Sequence, residues 1–239
     1  MTIDFDIRPT ITQLQRVGIR PADKLLHKIM QYGPAAFEPL CELACNIDML
    51  FEEPPACYAP IHALRLLGEL RTPRSIEPLI NALSGDILDS EDGTPEAVWA
   101  NDAPQILGMI GRPAVDPLQA LADDPERDMV QRGMALLALA FTIGIEPDLR
   151  PTVIGGLIER LAASDDREFN SHIVIALSNV AAREAYSQVM ARFRAGAIDT
   201  DMITAAIARQ MLYSSTRLGC VRHTLAERYA SHGPFEQSR

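Results

Sequence analysis

Aromatic residues are scarce, at 5 % of 239 positions. That excludes a core built mainly on ring packing and leaves Leu, Ile and Ala to fill it. Such a mixture suits closely spaced helices, because small side chains let helix axes approach. Also missing is any apolar run near the roughly 20 residues needed to span a bilayer. The opening residues, MTIDFD, have neither a basic stretch nor an apolar one, so no secretory leader is expected there. Cysteine is limited to Cys41, Cys45, Cys57 and Cys220. In a chain of this length that does not suggest a disulfide framework, and reduced thiols in a cytoplasmic setting are expected. Catalytic signatures are absent as well: no G-x-S-x-G, no Walker loop and no H-E-x-x-H occurs. Ser171 and His172 are neighbours, but positions i and i+1 face different sides of a helix.

Positive charge is thin where it would be needed for nucleic acid. The net charge is −10, and it is uneven. Residues 1–34 carry five basic and three acidic groups, 35–182 carry nine and 24, and 183–239 carry eight and five, giving +2, −15 and +3. The acidic middle would repel a phosphate backbone, so nucleic-acid binding is disfavoured. The simplest account of it is a solvated surface; a partner with a basic surface is the other.

What is present is a repeat. AFEPLCELA at 36–44, SIEPLINAL at 75–83, AVDPLQALA at 114–122 and VIGGLIERL at 153–161 begin 39 residues apart. Pro39, Pro78 and Pro117 are in register, with Gly156 in the fourth place. Phe37, Leu40, Cys41 and Ala44 sit at i, i+3, i+4 and i+7, as do Ile76, Leu79, Ile80 and Leu83, and Ile154, Leu157, Ile158 and Leu161. The third copy has Val115, Leu118 and Ala122, with the polar Gln119 in between. Each set is one apolar stripe on a helix. A second helix accompanies each block: 60–70 with Ala63, Leu66, Leu67 and Leu70, then 103–111, 132–143 and 170–181. Gly68 and Gly108 recur 40 residues apart, and a helical glycine, costing about 1 kcal/mol against alanine, suggests a close helix crossing. A helix pair of this length cannot bury both stripes alone, but stacked pairs can. The expected fold is all-α: a superhelical solenoid of antiparallel helix pairs in one domain over 1–239, clearest over 34–195. Two weaker helices are expected in 198–230, the first with a stripe of Ile203, Ala206, Ile207 and Gln210, and 231–239 is expected to fray.

RLLGELRTPRSIEPLINAL (65–83) and ILGMIGRPAVDPLQALA (106–122) resemble bacterial HEAT repeats of the phycobilin-lyase-like type. The resemblance covers about residues 20–195. It implies an interaction scaffold; a minority of such proteins act in bilin attachment, and a separate HEAT-like group comprises DNA glycosylases. Two departures stand out: an acidic insertion, SGDILDSEDGTPEAVWA at 84–100, and a lengthened turn, GIEPDLRPT at 144–152.

Three constellations could carry chemistry. Cys41, Cys45, Cys57 and His62 could hold zinc tetrahedrally, but Cys41 takes the place of Ile80 and Ile158, so a small buried apolar residue explains it. Cys220, His223 and His232 are one ligand short. The acidic insertion lacks the acids an EF-hand loop needs before Gly93, since Leu88 and Ser90 fall at two of the required places. No metal, cofactor or catalytic residue is therefore expected. Trp99, the only tryptophan, is either a core anchor or an interface anchor. The candidate partner-binding residues are Asp86, Asp89, Glu91, Asp92, Glu96, Trp99 and Asp102. The function expected is a non-enzymatic protein-interaction scaffold; bilin attachment or chaperoning is the alternative, with glycosylase activity behind it. The partner expected is another protein, not nucleic acid or membrane.

Overall fold

Short 3-10 turns, four of the five with proline, lead into the helices. Pro73–Ser75, Arg112–Ala114, Pro147–Leu149 and Arg183–Ala185 are single 3-10 turns, each running directly into an α-helix, and Gly33–Ala36 does the same. Proline near a helix start is tolerated because the N–H it lacks has no intrahelical acceptor there. The computed structural model describes residues 7–83, 87, 93–214 and 224–231. Among these the regular elements are all helical, so the chain is an all-α helical-repeat solenoid.

The opening segment has α1 (Arg8–Ile11), a 3-10 turn and α2 (Asp23–Met30). Helix pairs follow: α3 (Phe37–Ala44) with α4 (Ala59–Leu70), α5 (Ile76–Asn81) with α6 (Pro95–Gly108), and α7 (Val115–Asp123) with α8 (Met129–Ile145). The last two pairs are α9 (Arg150–Ala163) with α10 (Arg167–Asn179), and α11 (Tyr186–Arg194) with α12 (Ala205–Leu212). A final helix, α13, spans Leu225–Ser231. The contacts divide the chain into two compact units, one made of the residues to Ile106 with α13 and the other of residues 107–214.

Leucines of the repeat stripes are buried: Leu40, Leu79, Leu118 and Leu157 show no solvent exposure. Ile80 and Ile154 are buried too. Ile158 is only half-buried, so the fourth stripe is completed by Val153 instead. The reason is register. The leading helices start at 37, 76, 115, 150 and 186, giving steps of 39, 39, 35 and 36. In the fourth pair proline falls at 151, so α9 gains a turn at its N-terminus. The lengthened loop expected at 144–152 is therefore mostly helix, since α8 runs to Ile145 and α9 begins at Arg150.

The glycine expectation holds at Gly108. A Cβ there would lie 2.6 Å from the Phe141 Cβ and 3.0 Å from its backbone carbon, so the backbones can approach only because none is present. Further along, α12 buries Ala208 and Leu212, while Ile207 is half exposed. The face expected inside, Ala206–Ile207–Gln210, is turned outward.

Arginines link successive turns. Arg74 pairs with Glu38, Arg112 with Asp148 and with Glu146 at 3.2 Å, and Arg150 with Glu184 at 2.8 Å. Arg8 reaches Glu42 at 2.6 Å, and Arg160 reaches Asp123 at 2.7 Å. The partners are 34 to 37 residues apart, about one repeat. Pairs this exposed contribute about 0–1 kcal/mol each, so they fix register more than stability.

Candidate functional site

The acidic insertion is shorter than the sequence suggests. Thr94 and Pro95 open α6: the Thr94 hydroxyl accepts from the Ala97 N–H at 3.4 Å, and its carbonyl accepts from Val98 at 3.0 Å. A polar cap followed by proline is a helix-start signal. It is obscured because Pro104 lies inside the helix, where proline ordinarily ends or begins one.

This start places Trp99, Asp102 and Ile106 at i, i+3 and i+7 on a face turned inward. Trp99 has no exposure, and its indole N–H donates to the Ala44 carbonyl at 2.8 Å. It anchors the packing of α6 on the end of α3. Asp102 is 2 % exposed and forms an ion pair with the fully buried Arg65 at 2.6 Å. Trp99 is thus the core anchor of the two alternatives, and Asp102, expected at a partner surface, is an interior residue. Of the other candidates, Glu96 is half-buried in the first turn of α6, and Asp86, Asp89, Glu91 and Asp92 lie outside the described residues.

Around Arg65 the structure assembles a buried polar centre that the sequence reading missed. His62 and Arg65 come from α4, Asp102 from α6 and Tyr229 from α13. His62 Nε2 lies 3.1 Å from the Gly18 carbonyl, which can only accept, so Nε2 carries the proton. Nδ1 is then the acceptor for the Tyr229 hydroxyl at 2.8 Å. Burial lowers the His62 pKa from 6.5 to about 3, with the Gly18 bond opposing and the Arg65 charge assisting. Burial likewise pushes the Tyr229 phenol up, so it stays a donor. The Arg65 guanidinium carbon stands 4.7 Å from the Tyr229 ring centre, a cation–π contact. The centre holds a neutral imidazole, a protonated phenol and an ion pair in fixed orientations. Its signal in the sequence was His62 and Arg65 at i, i+3 on one helix, with no hint of the partners 37 and 167 residues away.

Of the four residues weighed for zinc, His62 is turned to other partners, Gly18 and Tyr229, and no group of three or more His, Cys, Asp or Glu among the described residues is placed to hold a metal ion. Cys41 and Cys45 share a hydrogen bond, which lowers the Cys41 thiol and raises that of Cys45. Cys220, His223 and His232 lie outside the described residues. Ser171 accepts from the Asp199 N–H at 2.8 Å and donates to the Arg167 carbonyl at 2.8 Å. The His172 ring covers Gly133, where a Cβ would come within 2.3 Å of Nδ1. Neighbours in sequence, the two side chains serve separate contacts. An open cleft of about 220 Å³ lies between α1 and α3, lined by residues that include Arg8, Gln15, Glu42 and Asn46.

Stacked helix pairs with proline-led turns define an α-helical repeat protein. The model of the PBS lyase HEAT-like repeat family matches residues 60–85, from the first turn of α4 through α5. Over that stretch the chain is similar to a HEAT-like repeat. No curated protein matches it. Among the described residues no helix is long and apolar enough to cross a membrane.

Proposed function

We propose that this chain is a non-enzymatic scaffold that binds a protein with a basic surface, in the cytoplasm. The observation that carries this reading is how the structure uses its arginines. In the acidic middle, Arg65, Arg74, Arg112, Arg150 and Arg160 are all committed to carboxylates within the chain. Carboxylates remain exposed in excess, including Glu52, Glu53, Asp116, Glu126, Glu159 and Asp165. A surface of one sign steers an opposite one at encounter and suppresses like-charged partners. Free Cys41, Cys45 and Cys57 fit a reducing compartment.

Affinity capture with the full chain from native lysate, at low and at high salt, tests this. A basic protein retained at low salt supports the reading; retention of none, or of acidic proteins only, refutes it. With a partner in hand, neutralising Asp89, Glu91 and Asp92 together should slow association, with an effect that shrinks as salt shortens the screening length to about 3 Å at 1 M. Unchanged association would remove the insertion from the contact. A second reading, bilin attachment, draws on the matched family's description as a PBS lyase repeat. New visible absorbance after incubation with a bilin and an acceptor protein would favour it.

A further inference from the structure

The basic groups of this chain are not used alike. Arg65, Arg74, Arg112, Arg150 and Arg160 hold carboxylates of their own chain. Arg16, Arg20, Lys24 and Lys28 do not: all four are exposed, and none has a carboxylate partner among the described residues. Lys24 and Lys28 are the only lysines in the sequence. They stand one turn apart on α2, whose other side buries Leu26 and Ile29. Arg16 ends the 3-10 turn before that helix, and Arg20 lies in the link between the two. Asp23 is the only acid from position 16 to position 28. A chain of net charge −10 thus carries a basic face on its first unit.

Its complement lies on the second unit. The link between α7 and α8, residues 124–128, and the link between α9 and α10, residues 164–166, are neighbours, because Arg160 near the end of α9 reaches Asp123 at the end of α7 at 2.7 Å. Glu126, Glu159 and Asp165 are exposed along this edge and have no cationic partner among the described residues. Asp128 and Asp166 add negative charge there while capping α8 and α10.

We propose that the face of Arg16, Arg20, Lys24 and Lys28 docks on the Glu126–Glu159–Asp165 edge of a second copy of this chain. The inference rests on the scaffold reading and names the chain itself as a partner with a basic surface. Charge selects the occupant: neither surface finds its counter-charge within its own chain, and each supplies what the other lacks. The two surfaces differ, so the contact is heterologous. A copy can give its basic face to one neighbour while receiving another at its acidic edge, and association need not stop at two. Exposed ion pairs are individually weak, so the contact is reversible and sensitive to salt.

Static light scattering of the full chain over a concentration series tests this. It is run at about 10 mM and about 150 mM salt, between which the screening length falls from about 30 Å to about 8 Å. Copies governed by their net charge repel one another most at the lower salt. Docking reverses that sign: the second virial coefficient should be negative at the lower salt and rise as salt is added. Lys24→Glu with Lys28→Glu should abolish the attraction. So should Glu126→Lys with Asp165→Lys, although the first pair makes the chain more negative and the second less. All four reversals in one chain should restore it. The four side chains are exposed, so these variants should keep the fold. Repulsion between wild-type copies at the lower salt overturns the proposal, as does attraction that survives either pair of reversals or fails to return in the fourfold variant. Repulsion together with heparin retention that Lys24→Glu and Lys28→Glu remove would give the basic face to a polyanion instead. Capture of other basic proteins without self-attraction would support the scaffold reading and refute this contact; self-attraction without captured partners would do the converse.

Discussion

Acidification should destabilise this protein through His62. The side chain is fully buried and neutral, with its pKa lowered from 6.5 to about 3. A folded-state value below the unfolded one means that the unfolded chain binds the extra proton between these two pH values. The stability this provides is complete above pH 6.5 and is lost as pH falls towards 3. Each unit corresponds to about 1.4 kcal/mol, so the whole shift is on the order of 5 kcal/mol. Between pH 6.5 and 4.5 the loss should be about 2 kcal/mol. The structural cause is specific: a second proton on the ring would turn Nδ1 into a donor facing the Tyr229 hydroxyl, beside the Arg65 charge. Carboxylates titrate in the same range, so the comparison is with His62→Gln, which cannot protonate. Urea titrations at pH 6.5, 5.5 and 4.5, followed by the emission of the single, buried Trp99 in the same unit, supply the numbers. The wild-type free energy should fall by about 2 kcal/mol more than that of the variant. Parallel falls in the two proteins, or an imidazole that titrates near 6.5 by NMR, would refute the reasoning.

Four other outcomes are expected. Leu79→Ala should cost about 2–5 kcal/mol, since the side chain has no exposure; a loss under about 0.5 kcal/mol in urea unfolding would contradict the repeat register. Asp102→Asn should cost about 3–5 kcal/mol by leaving Arg65 buried without its counter-charge, whereas Arg65→Met with Asp102→Leu should be near neutral, and equal losses from both would contradict this. Gly108→Ala should lower stability by about 1–3 kcal/mol, because the new Cβ meets the Phe141 backbone, and an unchanged melting temperature would contradict the close crossing. Ala181→Gly should raise stability by about 1 kcal/mol, since Ala181 ends α10 at φ 48°, and a loss in thermal unfolding would contradict the strain argument.

The helix pairs were legible in the sequence because their causes are local. Apolar spacing at i, i+3, i+4 and i+7, with proline and glycine at the turns, is enough to set α3, α4, α5, α7 and α10 within a few residues. The register of the fourth pair was not, because Val153–Leu161 aligns with the earlier blocks by pattern while Pro151 starts the helix a turn sooner. Pro104 hid the true start of α6, and with it the burial of Trp99 and Asp102, which the sequence alone made look like acidic-loop neighbours. The polar stripe of His62 and Arg65 shows the limit most clearly. Periodicity assigns polar residues on a helix to water, and it takes the Gly18 carbonyl, Asp102 of α6 and a helix arriving from residue 225 onward to make that stripe an interior. Which partners meet across such distances is a matter of chain return, set by the whole fold and encoded in no local pattern.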